Sequence, residues 1–135
     1  MKAKMSFVTL GVTDMERALR FYRDGLGFET HNHHPDDEFV FLKLEGTWLA
    51  LATEEAFAND VGTNWNASGE ARGFVLAHNV ASPAEVERVF AVALACGAKA
   101  VKTPQKTSWG GVTSFFADPD GCLWEVGYNP FTDLT

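Results

Sequence analysis

The side chains best equipped for chemistry in this 135-residue sequence are four histidines, two cysteines and a glutamate inside a late apolar run. His31, His33 and His34 fall in His31-Asn32-His33-His34-Pro35-Asp36-Asp37-Glu38, a His-x-His followed by acids that can hold a transition metal at a surface. The same residues, polar and interrupted by Pro35, also make an ordinary connection between strands, and that is the preferred reading. Glu125 stands in Leu123-Trp124-Glu125-Val126. A carboxylate there can serve as a general base, anchor the ammonium or hydroxyl of a ligand, or simply hydrogen-bond a backbone group or Lys102. His78 is a candidate partner in proton transfer, or a structural histidine at a strand end. Cys96 and Cys122 are too few for a disulfide framework or a four-thiolate metal site, and read as free thiols of a reducing cytoplasm.

Two helices must help position these groups. Thr13 and Glu16 stand in capping-box relation before a stripe of Met15, Ala18, Leu19 and Tyr22, with Gly25 or Gly27 as the stop. Ser82, Pro83 and Glu85 open a second helix whose predicted buried stripe is Val86, Val89, Phe90, Ala93 and Leu94, ended by Gly97. Strand patterns flank both. Ser6–Val12 and Phe74–Val80 precede the helices, and Phe28–His33 and Ala98–Thr103 follow them. Two hairpins come next: Phe39–Glu45 into Thr47–Ala52 at Gly46, and Val112–Ala117 into Cys122–Tyr128 across Asp118-Pro119-Asp120-Gly121. The order β-α-β-β-β therefore occurs twice, with Phe7-Val8 laid on Phe74-Val75 and Ala50 laid on Glu125. Neither half is large enough to bury its own sheet face, so the repeat predicts paired modules. The expected organisation is one domain over 1–135: module one at about 5–53, an Ala-, Asn- and Gly-containing linker at about 54–72, and module two at about 73–130.

Composition limits the partners. Apolar residues at 46% with 11 Phe and 4 Trp describe a globular chain rather than a disordered one. A net charge of −7 repels phosphate backbones, so nucleic acid is not expected. No run reaches the roughly 18 apolar residues of a membrane span, and the first residues do not resemble a signal peptide. A cytoplasmic protein is expected.

Three stretches give the chain a family resemblance. They are Val12-Thr13-Asp14-Met15-Glu16-Arg17-Ala18-Leu19-Arg20-Phe21-Tyr22 continuing to Gly25-Leu26-Gly27-Phe28, then Ala95-Cys96-Gly97-Ala98, and Phe116-Ala117-Asp118-Pro119-Asp120-Gly121-Cys122-Leu123-Trp124-Glu125-Val126. Over about residues 6–130 the chain resembles the vicinal oxygen chelate superfamily of glyoxalase I, extradiol dioxygenases and fosfomycin- and bleomycin-resistance proteins. The resemblance implies an α+β fold in which two tandem βαβββ modules form an open curved sheet or barrel around a cavity, commonly as a homodimer. Metal-dependent members take a His or Glu from the first strand of each module and a carboxylate or His from the last. The matching positions here are Phe7, Ala50, Phe74 and Glu125, of which only Glu125 can donate to a divalent ion. No cofactor is therefore expected, with a metal bound elsewhere left open. The implied cavity lining is Phe7, Thr9, Trp48, Ala50, Phe74, Leu76, His78 and Glu125, bordered by Trp109. Such an aromatic lining with few polar groups suits a small molecule.

The first functional expectation is a metal-independent small-molecule binder similar to the bleomycin-resistance branch, in which aromatics stack on planar groups and an acidic surface attracts cations. The alternative is an enzyme, either a glyoxalase-like lyase or isomerase or a metal-free catalyst using Glu125, with His78, for proton transfer. An accessory interaction domain ranks third.

Overall fold

The computed structural model describes residues 1, 6–61, 76–133 and 135. The chain divides into two compact units, residues 1–68 and 69–135. Each unit is built on an open four-stranded mixed sheet, not a closed barrel, and the two sheets share one strand order.

In the first unit β1 (Phe7–Val12) leads into helix α1 (Met15–Leu19), followed by β2 (Glu29–His31), β3 (Phe39–Lys43) and β4 (Trp48–Thr53). The strands lie in the order β1-β4-β3-β2, with β1 parallel to β4 and the other pairs antiparallel. Strand register puts Leu10, Leu51 and Val40 in one row, with Leu49 and Leu42 paired beside them. All five are buried, as are Ala18, Leu19, Phe21 and Tyr22 of the helical segment. Tyr22 meets Phe21 edge-on at 4.9 Å and stacks on Phe28 at 5.9 Å.

The first helix departs from expectation at its cap and in its last turns, although Gly27 ends it as predicted. Its N-cap is Asp14, whose carboxylate accepts the Arg17 N–H at 3.0 Å. Thr13 accepts from the Arg17 guanidinium at 2.7 Å instead. A full negative charge suits the helix N-terminus better than a hydroxyl, and Thr13 is already engaged. After Leu19 the chain widens into a π-helix over Arg20–Gly25. It closes with Leu26 N–H donating to Phe21 C=O at 2.9 Å, and Gly27 supplies the positive φ of +80° that ends it. The wider turn lets the neighbours Phe21 and Tyr22 both be buried.

The expected linker begins as structure. Glu54–Val61 form helix α2, with the Thr53 hydroxyl accepting the Ala56 N–H at 3.2 Å. Composition suggested a connection, yet Thr53 is a good N-cap and Glu54 and Glu55 favour the first turn.

In the second unit β5 (Leu76–Asn79), α3 (Pro83–Ala95), β6 (Lys99–Lys106), β7 (Val112–Ala117) and β8 (Leu123–Tyr128) repeat the topology as β5-β8-β7-β6. Ser82 caps α3, accepting the Glu85 N–H at 3.3 Å, and Pro83 takes the first turn as its spacing predicts. Val86, Phe90 and Ala93 are buried, whereas Leu94 is 36% exposed and leaves the predicted stripe. Against this helix lies the sheet face of Ser114, Phe116, Trp124 and Val126, all buried, with Phe116 and Trp124 stacked at 6.3 Å. Pro104 sits in β6, an edge strand with shifted register, where a missing N–H is tolerated. The β7–β8 turn is organised by Asp118, only 3% exposed, which accepts N–H groups of Asp120 at 2.9 Å and Cys122 at 2.8 Å.

Candidate functional site

The faces of the two sheets turned away from α1 and α3 carry different chemistry. In the first unit, alternation puts Phe7 and Thr9 of β1 beside Trp48 and Ala50 of β4, as the sequence predicts. The same register adds Phe39 and Phe41 from β3, which are not among the expected site residues, and His31 from β2, expected only as a candidate metal ligand. The rings form a connected cluster. Phe41 meets Phe7 and Phe39 edge-on at 5.2 Å each and Trp48 at 6.2 Å, while His31 lies 5.1 Å from Trp48. Phe7 is 45% and Phe39 36% exposed, so the cluster offers ring surface, whereas Ala50 is fully buried.

The histidine-rich stretch does not converge. His31 closes β2 against Trp48, and its Nε2 lies 3.2 Å from the Asn32 side-chain nitrogen. His33 Nδ1 faces Asp37 Oδ2 at 3.5 Å, the oxygen that also accepts the His34 backbone N–H at 2.7 Å. Among the described residues no three His, Cys, Asp or Glu side chains gather as a metal site. Asp37 and His33 of the histidine-rich stretch border a groove of about 670 Å³ together with Asp14, Arg20, Arg23 and Glu38, and none of the described residues of the predicted cavity lines it. Beside it the Arg23 guanidinium, hydrogen-bonded to Asp24 at 2.6 and 3.0 Å, holds that exposed carboxyl below its ordinary range.

In the second unit the pairing of β5 with β8 separates two residues expected to share a face. Glu125 pairs with Ala77, and Asn79 with Gly127, on one side. Leu76 pairs with Trp124 and His78 with Val126, so Leu76 and His78 belong to the opposite side. A one-residue difference in a strand of period two moves a side chain across the sheet. Asn79, Thr113 and Phe115 join Glu125 instead. The Lys102 ammonium lies over the Phe115 ring, 5.8 Å from its centroid, rather than on Glu125. Phe74 lies outside the described residues. Trp109 is 48% exposed, and its indole packs against Gly111, where any side chain would collide with it.

The comparisons decide the family. The model of the Glyoxalase/Bleomycin resistance protein/Dioxygenase superfamily matches residues 4–126. The chain belongs to that superfamily. Among solved structures it is similar to a glyoxalase-related enzyme from Fulvimarina pelagi, at 29% identity over 98% of this chain and 93% of that one, with a TM-score of 0.88. A hypothetical protein from S. aureus follows at 25% identity, covering 96% and 95%, with a TM-score of 0.79. A lactoylglutathione lyase from Agrobacterium tumefaciens shares the fold at 23% identity, covering 96% of each chain, with a TM-score of 0.70. The search of curated proteins found no match. No helix among the described residues is long and apolar enough to cross a membrane.

The superfamily's metal does not fit the residues present. Phe7 and Ala50, which the resemblance matches to first- and last-strand ligand positions, have no lone pair to donate, and neither do the side chains of Phe74 and Val75 in the sequence. Glu125 is left as a lone carboxylate, against about three protein ligands in a catalytic metal site.

Proposed function

We propose that this superfamily member binds a small planar organic molecule on the aromatic face of its first module, without the family's metal ion. The observation that carries the reading is the ring cluster of Phe7, Phe39, Phe41, Trp48 and His31, in which Phe7 is the residue that the family resemblance matches to a metal ligand. Aromatic pairs gain about 0.5–1.5 kcal/mol beyond area burial, and a cation over a ring gains a similar amount. The charge of −7 draws cationic ligands toward the surface. The acid–base alternative loses its second member, because His78 and Glu125 stand on opposite sides of the sheet. A homodimer in the cytoplasm completes the proposal.

The test is a calorimetric titration of chelator-treated protein with planar cationic antibiotics. Saturable binding is expected, weakened about 5–30-fold by Trp48→Ala, the equivalent of roughly 1–2 kcal/mol of ring contact. Absence of binding at high micromolar ligand, or full affinity in Trp48→Ala, contradicts the proposal.

A further inference from the structure

The second module's open face has a chemistry the aromatic cluster lacks. Asn79 of β5 pairs with Gly127 of β8, two residues from Glu125 and on the same side of the strand. Gly127 has no side chain, and the space that leaves is informative. A Cβ there would stand 3.2 Å from Glu125 Oε1, 3.4 Å from Asn79 Oδ1 and 3.8 Å from Thr113 Cγ2. Two acceptor oxygens from adjacent strands thus flank the open face of Gly127, with a methyl group as the third neighbour. Both side chains are half-buried, so a ligand can reach them. Among the described residues no hydrogen bond or ion pair engages either oxygen, and the nearby Lys102 is turned to the Phe115 ring.

We propose that Asn79 and Glu125, gathered over Gly127, form a binding site for a primary ammonium group. The inference rests on the reading of this chain as a small-molecule binder and names the chemical class of a ligand for the second module. A primary ammonium carries a positive charge and three N–H donors, so one nitrogen serves both acceptors at once. A hydroxyl has a single donor and leaves one oxygen unmatched. A hard divalent cation would keep most of its water shell against only two protein oxygens, one of them a neutral amide, and be held weakly. A quaternary ammonium has no N–H to donate and leaves both oxygens unmatched, and the nearby Phe115 ring already faces the Lys102 ammonium. Gly127 keeps the space open, since even a methyl group there would press on Glu125.

The experiment follows backbone and side-chain amide signals of ¹⁵N-labelled protein during titration with methylammonium chloride at constant ionic strength. Tetramethylammonium chloride serves as the donor-free control. Saturable shifts at Gly127 and Asn79 are expected with methylammonium alone. Asn79→Ala and Glu125→Gln should each weaken them by about tenfold, whereas Asn79→Asp retains an acceptor and adds charge, and should bind at least as tightly. Spectra of each variant away from the site report whether it is folded. Equal response to tetramethylammonium, no shift at Gly127, or unchanged binding in folded Asn79→Ala overturns the site. Indole titrated into the same sample separates the two proposals. Shifts at Phe41 and Trp48 with no methylammonium response leave the aromatic reading standing and remove the ammonium site. The reverse pattern supports the ammonium site and removes the aromatic reading.

Discussion

Asp118 shows how much one side chain settles locally. Its buried carboxylate takes the N–H groups of Asp120 and Cys122, and Gly121 completes the turn at a φ of +88°. Charge-assisted hydrogen bonds to a buried acceptor are among the stronger ones, so Asp118→Ala should lower unfolding free energy by about 3 kcal/mol in chemical denaturation. Asp118→Asn, keeping one oxygen, should lose less. Equal stability of Asp118→Ala and the parent would contradict this account of the turn. The sequence made this position readable because Asp-Pro-Asp-Gly has one common solution. At the first helix, Thr13 and Asp14 both had suitable chemistry, and the choice rested on the Arg17 guanidinium occupying the threonine.

Elements were legible where periodicity and punctuation agreed. Helix α3 begins at Ser82 and Pro83 as the sequence predicts, and both hairpins form in their predicted places. Phe90 is the large buried side chain of the α3 stripe, only 6% exposed. Phe90→Ala should cost about 3–5 kcal/mol, measured as a shift of the denaturation midpoint at unchanged slope. A loss under 1 kcal/mol would mean that this face is not a packed core. What the sequence obscured was register. Laying Phe74 on Phe7 placed His78 with Glu125, but Ala77 takes the place that Thr9 holds in the first sheet. Counting back from Ala77, position 75 rather than 74 corresponds to Phe7. That single residue exchanged His78 for Asn79 on the face of Glu125. Phe39 and Phe41 were readable by the same alternation applied to β3. His31 falls inside the predicted strand Phe28–His33, but its polar neighbours point to a metal cluster or a connection rather than to the aromatic face.

For the molecule as a whole, duplication of one βαβββ plan has left two sheet faces with divergent chemistry, one of rings and one of a carboxylate and an amide. Superfamily membership and fold were legible because turns and caps repeat at matched positions. Activity was not, because the fold hosts many chemistries and the site residues depart from the metal-dependent pattern. Sedimentation equilibrium should return twice the 14.8 kDa chain mass, as the proposed homodimer requires, and a mass of 14.8 kDa at high micromolar protein would reject it. The proposed metal-free binding follows from Phe7 and Ala50, neither of which can donate to an ion. Its most direct test is elemental analysis of tag-free protein, before and after incubation with Ni, Zn, Mn and Fe and removal of excess. Metal well below one equivalent per chain is predicted throughout. One tightly held ion per chain, lost on Glu125→Ala, would contradict it.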